Sequence, residues 1–150
     1  FVFVNDDPLF VLGDLTLFTV SNLMKKLDSI EDINNPNNVK VVFNKKRKAL
    51  YMSRSVIPSE KKFNEKINYY RQLGLIAFTR KSLLNFVDLE PSTLEIIESV
   101  DMNRFLENDV SIKMVETFVE VDAVDVPSDL KRVEGKMKKD TLFKIYSNED

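Results

Sequence analysis

The sequence predicts an α/β domain. Three observations carry that expectation: strand-like and helix-like segments alternate, the apolar runs are short and bounded by polar turns, and helix-cap residues precede the amphipathic stretches. "FVFV" (1–4) is a continuous apolar run closed by "NDDP", the pattern of a buried strand feeding a loop. In "GDLTLFTVSNLMKKLDSIED", Val20, Leu23, Met24 and Leu27 recur at i, i+3, i+4 and i+7, and Asp14 can cap the start, which predicts a helix over 15–29. "NNPNN" reads as a loop. "VKVVF" (39–43) and "KALYM" (48–52) are predicted strands around the charged turn "NKKRK", whose basic run is expected to be a solvated hairpin tip rather than a phosphate site.

"SRSVIPSEKKFNEKIN" is polar and long for a loop, and such loops are often functional. "YYRQLGLIAF" (69–78) is a predicted strand, and "TRKSLLNFV" a short helix capped by Thr79. "EPSTLEIIESVDMNRFLEN" predicts one helix over 92–108, capped by Ser92 or Thr93. "SIKMVET" (111–117) and "FVEVDA" (118–123) carry strand patterning, and Pro127 suits the first turn of a helix over 127–138. No repeat or low-complexity segment interrupts the alternation.

Composition narrows the chemistry. The 150 residues suffice for one compact domain, and a single domain over 1–150 is expected. Without cysteine there is no disulfide, thiolate metal site or thiol nucleophile, which fits a cytoplasmic location. Without histidine there is no Ser-His-Asp triad and no imidazole acid–base chemistry. Catalysis would fall to carboxylates, Lys/Arg, hydroxyls, backbone N–H groups or an oxygen-bound metal. A net charge of −2 does not favour a nucleic-acid groove, and no apolar run is long enough for a membrane span. The chain opens on Phe1 inside what reads as a core strand, so a longer parent chain is expected.

Several acids fall on apolar faces. Val119, Val121 and Ala123 share one strand parity, and Asp125 continues it, a costly place for an unpaired carboxylate. On a helix over 92–108, Leu94, Ile97, Asp101 and Phe105 share one side, with Glu98 close by. Arg104, three residues on, offers Asp101 a salt bridge; the alternative is that this face lines a polar cleft. Asp6 and Asp125 both follow apolar strands, where open α/β sheets bind ligands. They serve either as caps and turn formers or, on neighbouring strands, as ligands of a hard divalent cation such as Mg²⁺.

Read together, five stretches resemble the 3-deoxy-manno-octulosonate cytidylyltransferases, the CMP-KDO synthetases. They are "VNDDPL" (4–9), "DINNPNNVKVVFNKKRKALYMSRSVIP" (32–58), "YYRQLGLIAF" (69–78), "LEIIESVDMNRFLEN" (94–108) and "VDVPSDL" (124–130), in the family's order and spacing. The resemblance implies the C-terminal portion of such an enzyme. Its fold would be part of a nucleotide-diphospho-sugar transferase-like (Rossmann-like) mixed sheet flanked by helices, lacking the N-terminal nucleotide-binding strands.

The implied reaction joins CTP to the anomeric hydroxyl of an acidic sugar, KDO or a related ulosonic acid, and releases pyrophosphate. The CMP-sugar would serve lipopolysaccharide or capsule synthesis. By motif position Asp6 and Asp125 would hold Mg²⁺ and serve catalysis, while Arg54, Gln72 and Asp101 would contact the sugar. A homodimer is implied, and neither nucleic acid nor membrane is an expected partner. The family's His is Gln72 here and its Tyr is Ile76, which leaves the sugar open between KDO, an amino-KDO and another ulosonic acid. Nothing resembles the family's Gly/Arg-rich CTP loop, so the chain alone is expected to bind CTP poorly and not turn over. The competing reading is a non-catalytic binding or dimerisation module that keeps the family fold without the CTP-binding half.

Overall fold

A computed structural model describes residues 19–59, 67–118 and 127–138. The chain divides into two compact units between Thr117 and Phe118. The first holds strands β1 (Val20–Leu27), β2 (Lys40–Phe43), β3 (Ala49–Ser53), β4 (Tyr69–Phe78) and β5 (Lys113–Glu116). Its helices are α1 (Ile30–Asn34), α2 (Arg80–Asp88), α3 (Thr93–Glu98) and α4 (Met102–Glu107). In the second unit, helix α5 spans Pro127–Met137, with proline in the first turn as expected.

The five strands form one sheet in the order β3-β2-β4-β1-β5. β1 pairs antiparallel with β4 and parallel with β5, so the sheet is mixed, as the family resemblance implies. A Lys48–Lys113 bridge and the Met114 N–H on the Arg47 carbonyl (2.8 Å) also join the start of β3 to β5. Arg47, in the basic turn, is not simply solvated: it pairs with Glu116 at 2.9 Å and lies over the Phe43 ring. Lys45 and Lys46 are exposed, as a hairpin tip predicts.

The helix expected over 15–29 is a strand from Val20 to Leu27; 15–18 and Asp14 lie outside the described residues. Val20 through Met24 are all buried. A central strand buried on both faces has no two-residue alternation, so its apolar positions also fit a helical stripe. A five-residue helix follows instead, with Ser29 Oγ accepting from Asp32 N at 3.0 Å. The "FVFV" strand and most of "FVEVDA" also fall outside the described residues.

The helix expected over 92–108 is two helices. Ser99 takes φ 52°, ψ 52°, a left-handed conformation that ends α3, and the chain restarts at Met102. The proposed stripe is therefore divided: Ile97 is 72% exposed, while Phe105 is fully buried. Phe105 packs with Phe78 and Phe86 at centroid distances of 6.1 and 5.1 Å, beside Val20, Met24, Met52, Met102 and Met114 in the core. Arg104 does not pair with Asp101. It holds Glu95 with Nε–Oε2 at 2.7 Å, donates to the Phe86 and Leu89 carbonyls, and stacks over the Phe86 ring at 4.3 Å. This pair ties α3 to α4 and to the end of α2, and the guanidinium holds the Glu95 carboxyl below its ordinary pKa. Among the described residues, no helix is long and apolar enough to cross a membrane.

Candidate functional site

The break between α3 and α4 is held by a clasp from the end of β3. Glu98 Oε1 accepts from Tyr51 OH (2.9 Å) and Ser53 Oγ (2.7 Å), and Oε2 accepts from the Arg54 N–H (2.9 Å). Burial disfavours the charged carboxylate, but these three donors outweigh it and hold Glu98 below its ordinary pKa. The Arg54 side chain continues the clasp. Nε donates to the Glu98 carbonyl (2.7 Å), Nη2 to Ser99 (3.1 Å) and Nη1 to Pro36 (3.1 Å). The left-handed Ser99 is thus pinned from outside its own helix, which is how a strained residue persists. Lys40, buried in β2, donates to the Asn35 carbonyl (3.0 Å) and anchors the same "NNPNN" loop. Burial, and then the nearby Arg54 charge, lower its pKa.

Beside this clasp lies a groove of about 280 Å³, lined by Val39, Gln72, Gly74, Ile76, Ser99, Val100, Asp101 and Met102. Its size is near the lower end for small-molecule sites. One wall is β4. Between the pairs Asn22–Ile76 and Met24–Gln72, β4 carries two more residues than β1, so it bulges at Leu73–Leu75. Bulges re-aim side chains and release carbonyls from the ladder. Here buried Asn22 takes up the slack. Its Nδ2 donates to the Leu73 carbonyl (2.7 Å) and the Leu75 carbonyl (3.0 Å), and its Oδ1 accepts from Gln72 Nε2 (2.8 Å). The other wall is the α3–α4 break. Asp101 is exposed and makes no capping hydrogen bond with its side chain.

Of the expected sugar-contacting residues, Gln72 and Asp101 share this groove. Arg54 does not line it but grips Ser99, which does. Three of its five donors hold backbone carbonyls, leaving one N–H on each Nη. Asp6 and Asp125 lie outside the described residues. Among the described residues no cluster of three acids could hold a metal ion. Sequence reasoning missed Asn22, which sits inside the misassigned helix, and the part played by Glu98. The signal for Asn22 was available: "SN" interrupts an apolar run at positions a continuous strand would bury.

Comparison with known proteins agrees with the geometry. A family model described as cytidylyltransferase matches residues 7–113. The 3-deoxy-manno-octulosonate cytidylyltransferase of Flavobacterium johnsoniae is 38% identical over 119 residues, 79% of this chain and 49% of the relative. The Koribacter versatilis enzyme of the same name is 43% identical over 104 residues, 69% of this chain and 40% of the relative. The structure of CMP:2-keto-3-deoxy-manno-octonic acid synthetase complexed with CTP superposes with a TM-score of 0.76 at 31% identity, covering 83% of this chain and 51% of that one. The chain thus spans about half the length of the curated relatives it matches. The ordered motifs, the mixed sheet and the matched span carry one conclusion: the chain belongs to the cytidylyltransferase family.

Proposed function

We propose that the complete protein is a cytidylyltransferase that joins CTP to KDO or a related ulosonic acid, releasing pyrophosphate and a CMP-sugar for lipopolysaccharide or capsule synthesis. One observation carries the reading: a polar groove holding Gln72 and Asp101 sits beside Arg54, in a fold shared with a CTP-bound synthetase. The groove takes the sugar. Arg54 offers its two remaining N–H groups to the sugar carboxylate, a geometry suited to a planar anion. Asp6 and Asp125 supply carboxylate oxygens, the donors that a hard ion such as Mg²⁺ prefers. When bound, such an ion neutralises phosphate charge and eases deprotonation of the attacking hydroxyl. In the transfer, the anomeric oxygen bonds to the α-phosphorus of CTP as the bond to pyrophosphate breaks.

The enzyme works as a cytoplasmic homodimer in this reading, and sedimentation of the complete chain measures that state. Pyrophosphate release from CTP and KDO, with the complete chain, tests the activity. Release confined to the full mixture with Mg²⁺ supports the assignment, and no release with any ulosonic acid overturns it. Asp125→Asn is expected to abolish Mg²⁺-dependent turnover while circular dichroism stays unchanged; retained turnover removes Asp125 from the site.

A further inference from the structure

We propose that Asn22 is a positioning residue: it fixes the Gln72 amide so that the groove presents an oriented hydrogen-bond acceptor to a donor group, such as a hydroxyl, on its ligand. The positioning stands on the fold alone. The identity of the ligand as a sugar acid rests on the function proposed above.

The β4 bulge leaves the Leu73 and Leu75 carbonyl oxygens facing one buried side chain, at 2.7 and 3.0 Å from Asn22 Nδ2. Only an N–H₂ group satisfies two carbonyls; turning the amide over would set Oδ1 against both. The orientation of Asn22 is therefore dictated by its neighbours. Its Oδ1, an acceptor, then requires a donor, and Gln72 supplies Nε2 at 2.8 Å. A turned Gln72 would set Oε1 against Oδ1, so its orientation is dictated in turn. Gln72 Oε1 accepts from no described residue and is not sealed in the interior, and the side chain lines the groove. The groove therefore meets a carbonyl with a fixed direction. Asp101, a carboxylate, adds a second acceptor among Val39, Ile76, Val100 and Met102. A ligand group that only accepts finds no complement in that carbonyl or that carboxylate, and is left with the second Nε2 proton of Gln72, which no described residue engages.

The test uses the complete ¹⁵N-labelled chain, with KDO as the probe. Loss of a signal pair in Gln72→Met identifies the Gln72 side-chain amide. In the wild type the one Nε2 proton held by Asn22 Oδ1 should exchange with water at least about tenfold slower than that of a free glutamine, as one hydrogen bond allows. Exchange at the free rate overturns the proposal without need of a variant. In Asn22→Ser, which is too short to reach Gln72, the protection should vanish. KM for KDO should rise about tenfold with kcat changed less than about threefold, the signature of lost binding alignment. A merely structural Asn22 would instead lower the active fraction and leave KM unchanged; that result, or retained protection, overturns the proposal. If the wild type gives no turnover with KDO or any other ulosonic acid, the sugar-acid reading fails, and the exchange rates still decide the positioning.

Discussion

The two walls of the groove are built on opposite logics. At the α3–α4 break, the polar groups are engaged with each other: Glu98 accepts three hydrogen bonds, and Arg54 donates three to backbone carbonyls. On the β4 wall the engagement stops one atom short of the surface. Asn22 satisfies the bulge and orients Gln72, and the Gln72 carbonyl is left over with one Nε2 proton. The first wall holds a strained turn in place, and the second holds a hydrogen-bonding group ready. A polar residue's role follows from what its donors and acceptors already meet, more than from its type.

Removing the centre of the rigid wall should have the largest effect. Glu98→Ala leaves the Tyr51 and Ser53 hydroxyls and the Arg54 N–H without their acceptor, and the cost is expected to be about 3 kcal/mol in urea unfolding. Acid should do the same gradually. Because the native pKa of Glu98 is lowered, its contribution is complete above the ordinary value of 4.5 and is lost as pH falls through the native value. Stability should therefore drop more steeply below about pH 4.5 in the wild type than in Glu98→Gln, where that group no longer titrates. Parallel pH profiles would remove Glu98 from the centre of the clasp.

Arg54→Lys should act in the same direction with a smaller amplitude. An ammonium can keep one of the three carbonyls but cannot span Pro36, Glu98 and Ser99 together. A loss of about 1–2 kcal/mol is expected from chemical unfolding. In the complete chain KM for the sugar acid should rise as well, because the fork suited to a carboxylate is gone. A stability loss with unchanged KM would confine Arg54 to the clasp.

Much of this fold was legible where one signal dominates. β4 (Tyr69–Phe78) coincides with its predicted range, Thr79 caps α2 through the Ser82 N–H, and Pro127 opens α5. The failures have physical causes. β1 is buried on both faces, so its apolar spacing fits a helix as well as a strand. The turn at Ser99 lacks the glycine or asparagine that usually marks a left-handed residue, and it is held by Arg54, distant in sequence. Gln72 and Asp101 could be named from motif resemblance, but that they share a groove could not. Asn22 was hidden because the strand assignment that makes it informative was missed.

Asp101→Asn should be the mildest change and the sharpest check on the contrast. Asp101 opens α4 without a capping hydrogen bond from its side chain, and the nearby Arg104 is held first by Glu95. Nothing in the clasp depends on its carboxylate, so stability should change by less than about 0.5 kcal/mol. The groove still loses charge, and an amide offers one acceptor where the carboxylate offered two. KM for the sugar acid in the complete chain should therefore move by about two- to fivefold, with the urea midpoint fixed. The opposite pattern, a lower midpoint with unchanged KM, would make Asp101 part of the rigid wall. The ready surface of the groove would then reduce to the Gln72 amide that Asn22 holds in place.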